Sequence, residues 1–425
     1  MVKLSLMSLA FSQNEAGSIF LLISPDAKAS SMGEAQVAIS NNSYSSYWNP
    51  AGLAFTQGSG IAASYSSWLP NIVDDIAYNF IGYRNRIEGL GVIGAHIIFM
   101  DLGTQKRMDE QKSELGSFSS YSFAAAISYG NNYGKNSSLG LTAKYSSQVL
   151  MDATSELGGS NGSASVFGFD IGYMKKAFLL QKLNFGMTLT NMGGEITFLD
   201  DNRSDPQPTN LTLGLHLEAM DNSLGRLNLI YDVKKLMVAS YAATDINSDG
   251  LIDGKNEMPH TDPFFKALFT SWTDDWKYKG DLDKSIGYYN RDGIIGGYRW
   301  VESLDNGDGI PDPNEMERTS EAVFGDENWG IYNQWGQKEV GSKGEGSFSK
   351  ELKELIHNFG IEYMPNSNLA FRSGYIYDKI GDINNLTYGF GLRFAGYDFD
   401  FSYIDGDVGH PLANTYRFSL GKRLK

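Results

Sequence analysis

From residue 60 onward the chain alternates apolar with polar or small side chains over most of its length. In LGLTAKYSS, Leu139, Leu141, Ala143 and Tyr145 fall on one face, and Gly140, Thr142, Lys144 and Ser146 on the other. NLTLGLHLE sets Leu211, Leu213, Leu215 and Leu217 against Thr212, Gly214, His216 and Glu218. YDFDFSY sets Tyr397, Phe399, Phe401 and Tyr403 against Asp398, Asp400 and Ser402, and LTYGFGLRF repeats the pattern. Successive side chains of a strand point to opposite faces, so each segment has one greasy face and one wet face.

A soluble sandwich also alternates, but three features favour a membrane barrel. The polar faces carry Gly, Asp, Lys and Arg, as a wet or crowded lumen would. The apolar faces are capped by Tyr and Phe, like the aromatic girdles of outer-membrane barrels. The segments run to about 9–13 residues, near the ~9–11 of a tilted membrane strand and above the ~5–6 of soluble sheets.

Fourteen segments fit: 60–68, 75–85, 89–100, 120–131, 137–150, 164–177, 183–193, 210–220, 224–236, 353–365, 367–379, 386–396, 397–405 and 414–424. An even number suits a closed antiparallel barrel with both termini on the periplasmic side. The connections test this independently. Links after even segments are short (RIE, NYGKN, FLLQK, DNS), whereas those after odd segments include 101–119, 151–163, 194–209 and 237–352. Outer-membrane barrels pair short periplasmic turns with long external loops, and one missed strand would scramble this parity. The predicted fold is therefore all-β: a fourteen-stranded antiparallel outer-membrane barrel with an N-terminal hatch and a large extracellular insertion.

Residues 18–55 do not alternate and are rich in small residues, as expected of a compact irregular plug inside a lumen. Ahead of them, MVKLSLMSLAFSQ has one Lys, a short apolar core and the small-x-small run Ala10-Phe11-Ser12, similar to a secretory leader. The expected organisation is a leader over 1–12, a hatch over 13–59, strands one to nine over 60–236, the insertion over 237–352, and strands ten to fourteen over 353–425.

Composition narrows the chemistry. A net charge of −15 argues against nucleic acid as a partner. Without cysteine there are no disulfides, zinc thiolates or thiol nucleophiles. None of the five histidines has an i, i+4 His partner or a nearby nucleophile elbow, so nucleophilic or zinc hydrolysis is not expected. Asp398 and Asp400 share a strand face, which lumen polarity explains more plainly than paired catalytic carboxylates. Asp74 and Asp75 lie beside Trp68 and Leu69 on the first external loop, an apolar rim that suits a partner or the membrane interface equally.

Residues 243–350 hold 21 acidic and 11 basic residues and five of the seven Trp, which suits a folded acidic cap. Within it, TDINSDGLIDGKNE places Asp245, Asn247, Asp249 and Asp253 at positions 1, 3, 5 and 9 of a calcium loop. Gly250 sits at the sharp turn and the Leu251 carbonyl at position 7, with Glu257 one place beyond position 12. LDNGDGIPDPNE is a second copy through Asn306, Asp308, Asp312 and Glu315, with the Ile310 carbonyl at position 7. YNRDGIIGG is a degenerate echo that is not assigned a site. Asx turns without metal would have the same composition. The expectation is structural Ca2+ at the first two loops.

NPAGLA after a small-residue segment resembles the hatch of FadL-like outer-membrane barrels. FLLISPDAKASSMGEAQVA, then YWNPAGLAF and YSSWLPNIVDDIAYNFIGY, and the closing HPLANTYRFSLG resemble the PorV family of the type IX secretion system. That resemblance implies a fourteen-stranded barrel in outer-membrane lipid. Its implied partners are the translocon barrel, the sortase or attachment complex, and the C-terminal signal domains of secreted cargo. Two other functions remain open: a FadL-like channel for hydrophobic small molecules, with an apolar pocket under the hatch and a gap in the wall, and a purely structural surface barrel.

Overall fold

The computed structural model describes residues 16–70, 75–108, 114–150, 162–198, 204–241, 260–272, 352–406 and 414–424, with 283–285, 288–290, 298–300, 316–318 and 331–332. Fourteen strands close into one antiparallel barrel. They are β1 (Ser59–Ser67), β2 (Ala77–Ile87), β3 (Gly91–Met108), β4 (Glu114–Asn132), β5 (Ser137–Val149), β6 (Ser163–Lys175) and β7 (Leu183–Gly193). The second half comprises β8 (Asn210–Asn222), β9 (Gly225–Leu236), β10 (Ile356–Asn366), β11 (Leu369–Asp378), β12 (Ile383–Phe394), β13 (Tyr397–Asp405) and β14 (Thr415–Leu424). β1 pairs with β14 from Ser59↔Leu424 to Ser66↔Arg417, so no barrel edge is left open. No described helix is long and apolar enough to cross a membrane.

Each predicted segment overlaps one of these strands, and burial follows the period of two. On β5 the outward Leu139 and Leu141 are exposed, whereas the inward Thr142 and Lys144 are buried. The outward row continues through Ile81, Ile127 and Phe167, each more than 60% exposed to what is hydrocarbon in a membrane.

The structure departs from the sequence pattern in three places. The β3–β4 hairpin runs past the expected loop at 101–119, pairing as far as Met108↔Glu114. Residues Glu195–Thr197 and Ser204–Pro206, expected as loop, pair in a short ribbon. The inward face of β2 to β4 is not polar throughout: Tyr78, Phe80, Ile98, Met100 and Ala124 point inward and are buried. These residues have an apolar partner inside the lumen, so the solvent rule for a barrel interior does not govern them.

The wall's register shifts in several places, and the one between β6 and β7 is filled from inside. Between Phe169↔Met192 and Ile171↔Leu189 the β6–β7 register shifts, with Asn191 in the left-handed region at φ 57°. Polar side chains fill the break. Asp170 accepts from the Asn191 N–H at 2.7 Å, Lys144 donates to both Asp170 and Asn191, and Gln207 donates to the Phe167 carbonyl at 2.8 Å.

A second compact unit spans Met237–Glu354. Its described part includes the ribbon Ser240–Tyr241/His260–Thr261 and the helix α1 (Phe264–Thr270), whose Lys266 and Thr270 side chains both donate to Asp262, at 2.5 Å and 2.7 Å. Tyr298–Trp300 pairs with both Met316–Arg318 and Ile331–Tyr332.

Candidate functional site: the hatch and its seat

Residues 16–58 fold as short turns rather than long elements, and two of these, Ala27–Ser30 and Pro50–Phe55, are closed at their start by a polar side-chain cap. Asp26 caps the turn Ala27–Ser30, accepting from the Ala29 N–H at 3.1 Å and from Trp48 Nε1 at 2.6 Å. The carboxyl is fully buried, and burial pushes its pKa up to about 6 against the opposing pull of the Trp48 and Ala29 hydrogen bonds. Asn49 caps the 3-10 turn Pro50–Phe55, accepting from the Ala51 N–H at 3.0 Å. Its amide donates to the Val37 carbonyl at 3.0 Å and, across to the wall, to the Tyr173 carbonyl at 3.2 Å. Pro50 follows at the first helical position, where a missing N–H costs nothing.

The hatch lies directly against the backbone of the wall, and glycine makes the room. Gly130, Gly140 and Gly172 are neighbours across β4, β5 and β6 in register. A Cβ on Gly130 would come within 2.5 Å of the Pro50 carbonyl oxygen, one on Gly140 would strike the Pro50–Ala51 peptide, and one on Gly172 the Asn49 amide. Opposite them, Gly360 and Gly374 pair across β10 and β11 and receive Met32 and Gly33. NPAGLA is thus the segment that lies on a glycine shelf.

Hydrogen bonds from inward side chains fix the hatch in place. Asp232 on β9 accepts from two successive hatch amides, Gln36 at 2.7 Å and Val37 at 2.9 Å. Thr387 accepts from Gly33 N at 2.9 Å, Ser419 accepts from Ala27 N at 2.6 Å, and Ser138 donates to the Ala51 carbonyl at 2.9 Å. Among the described residues, ion pairs of Glu34 with Lys234 at 3.3 Å and of Lys28 with Glu362 at 3.8 Å join hatch to wall. An apolar cluster completes the seat, with hatch residues Phe20, Leu21 and Ile23 packed among Tyr78, Phe80, Ile98 and Met100.

The three stretches that the sequence singles out meet here. FLLISPDA supplies Phe20, Leu21 and Asp26; WLPNIVDD supplies Trp68 and Leu69; the closing strand supplies Arg417 and Ser419. Arg417 donates to Ser30 and its guanidinium lies 5.6 Å from the Trp68 ring centre.

Comparison with known proteins decides the family. The model of the family "Type IX secretion system protein PorV" matches residues 13–243, more than half of the chain. The chain belongs to the PorV family. No curated protein matches the sequence. Among solved structures, the Ralstonia pickettii toluene transporter TbuX aligns at 12% identity and TM-score 0.49, over 94% of this chain and 98% of its own. The Pseudomonas putida toluene transporter TodX aligns at 13% and 0.46, covering 97% of each chain. A Pseudomonas aeruginosa FadL homologue aligns at 10% and 0.45, over 97% and 100%. The fold of this PorV-family chain rests on its own strand pairing, which closes as an outer-membrane barrel of the type IX secretion system.

The residues expected to bear function fare differently. Asp245, Asn247, Asp249, Leu251, Asp253 and Glu257 lie outside the described residues, as do Asn306, Asp308, Ile310, Asp312 and Glu315. Among the described residues no group of three or more His, Cys, Asp or Glu side chains is placed to hold a metal. The apolar rim expected at Trp68 and Leu69 is corrected: both are 5% exposed and belong to the hatch cluster, because the lumen supplied a better apolar partner than the interface. Asp398 and Asp400 each face their own arginine, Arg393 at 2.5 Å and Arg372 at 2.6 Å, as lumen polarity requires. A hollow of about 680 Å³ lies on the outward face of β1 and β12–β14, among Tyr65, Phe390, Phe399 and Phe418. It is on the wall's exterior and not under the hatch, where a channel for hydrophobic molecules would need it.

The polar seat escaped sequence reading. Asp232 in YDVKK reads as an ordinary wet-face residue, and nothing local distinguishes it from Asp398.

Proposed function

We propose that this PorV-family barrel binds the C-terminal signal domain of secreted cargo and passes it from the type IX translocon to the surface attachment complex, without chemistry of its own. Family membership over residues 13–243 carries the reading. The occupied lumen supports it, since a barrel filled by its own chain offers a folded cargo domain its rims rather than a conduit. In this reading both termini are periplasmic and the segment after β9 is extracellular, because the short turns follow even-numbered strands. The test is capture of a cargo C-terminal domain by the full-length protein, scored against a FadL-like control barrel. Enrichment over the control is expected; equal capture would reject the reading.

Residues 237–352 serve in the same reading as an acidic cap clipped by Ca2+ at Asp245–Glu257 and Asn306–Glu315. Millimolar external calcium fills even weak loops of this kind, so the role is structural. Chelation is expected to open this segment to protease while the barrel stays intact. The same digestion pattern with and without calcium would remove the metal from the account.

A further inference from the structure

The β6–β7 turn, residues 176–182, exposes leucines as the β2–β3 and β8–β9 turns do at Leu90 and Leu224, but among these short turns it alone holds two non-glycine residues at positive φ. Its sequence KAFLLQK exposes Leu179 at 83% and Leu180 at 63% in a segment expected to meet water. Ala177 and Leu179 both adopt positive φ, 52° and 60°, where a side chain is strained and glycine or asparagine is the usual choice. The Leu180 N–H closes onto the Phe178 carbonyl at 2.6 Å across Leu179, the geometry of the rare classic γ-turn. Strain of this kind persists only where the surroundings enforce it, and here it displays apolar side chains that folding alone would hide.

The turn curls towards the lipid side. The Phe178 ring sits 5.1 Å from that of Phe185, which lies 6.3 Å from Tyr173. Phe185 and Tyr173 alternate with the inward Gly186 and Gly172, so they are on the outer wall. Cations gather around it in a chain of net charge −15. Lys175 reaches Ser137 on the outer wall, Lys176 lies 4.1 Å over the Phe55 ring, and Lys182 is half exposed beside Glu218 at 3.5 Å. The neighbouring β4–β5 turn is tied on by Lys176 N–H to the Asn136 carbonyl at 2.7 Å, and brings exposed Lys135 and Tyr133.

We infer that this turn is a lipid hook, with Phe178, Leu179 and Leu180 entering the headgroup–acyl boundary of the nearby leaflet and Lys135, Lys175 and Lys182 holding an anionic phospholipid headgroup. Apolar side chains ringed by lysines at a membrane surface have the chemistry of interfacial anchors. The positive charge selects a phosphate-bearing anionic lipid over a zwitterionic one. A protein partner would have no need of a turn folded back onto the hydrocarbon-facing wall.

The test uses the full-length protein purified in detergent, with retained phosphatidylglycerol and phosphatidylcholine counted by native mass spectrometry. The combined variant Lys135→Gln, Lys175→Gln, Lys182→Gln is expected to lose its preference for phosphatidylglycerol by about tenfold or more, since each lysine near an anionic surface contributes. Leu179→Gly with Leu180→Ser is expected to lose retention of both lipids. Leu179→Gly alone should melt no lower than the wild type, because glycine relieves the strained φ, so a loss of lipid cannot be ascribed to unfolding. Unchanged phosphatidylglycerol preference in the lysine variant overturns the inference.

Discussion

Replacing Asp232 by alanine is expected to unseat the hatch while leaving the fourteen-stranded wall assembled. The carboxylate accepts from two consecutive hatch amides, Gln36 and Val37, both in fully dry surroundings. Truncation leaves two buried N–H groups without a partner, at a cost of about 2–5 kcal/mol to the seated state. The wall bears little of this loss, because Asp232 enters the β8–β9 and β9–β10 ladders through its backbone only. Limited proteolysis and hydrogen exchange over residues 33–40 report the hatch; heat-modifiable mobility on gels reports the barrel. Exchange at Gln36 and Val37 should accelerate at least tenfold. Asp232→Asn, which keeps an acceptor oxygen, should fall between alanine and wild type. Hatch protection unchanged in the alanine variant would mean that the remaining contacts suffice and that Asp232 is not a principal latch.

The same comparison explains what the sequence could tell. Barrel strands are legible because one physical rule, lipid outside and lumen inside, writes a period of two into every strand from Ser59 to Leu424. The rule applies only where the wall meets lipid. The extension of β3 and β4 to Met108↔Glu114 was not visible, since a hairpin beyond the membrane needs no greasy face. The inward apolar row of Tyr78, Phe80, Ile98 and Met100 is invisible for a related reason. Their inward positions answer to Phe20 and Leu21, residues far away in sequence, and not to water. Trp68 belongs to the same group: a tryptophan at a strand end reads as an interface anchor until its partner is known.

The glycine shelf carries the other large effect, and it too was hidden in plain alternation, where glycine merely counts as a non-apolar position. Gly140→Ala is expected to expel the hatch, whereas Gly421→Ala, also on an inward face, is expected to be neutral or slightly stabilising. Glycine in a strand normally costs conformational entropy, so alanine should help wherever its Cβ finds room. At Gly421 the nearest atom to such a Cβ is the Asp398 Cβ at 3.5 Å, an ordinary contact. At Gly140 the Cβ falls on the Pro50–Ala51 peptide, and backbone cannot turn aside as a flexible side chain can. That peptide is further held by the Asn49 cap and by Ser138 donating to the Ala51 carbonyl. Overpacking against it should cost at least about 3 kcal/mol, borne by the hatch because the β4–β5–β6 ladder can form with alanine at that position. Single-channel recording in planar bilayers separates the two variants: a barrel without its plug conducts, so Gly140→Ala should give stepwise openings, and wild type and Gly421→Ala should remain closed. Closed barrels in all three proteins, with the hatch equally protected from protease, would show that the shelf yields where the geometry says it cannot.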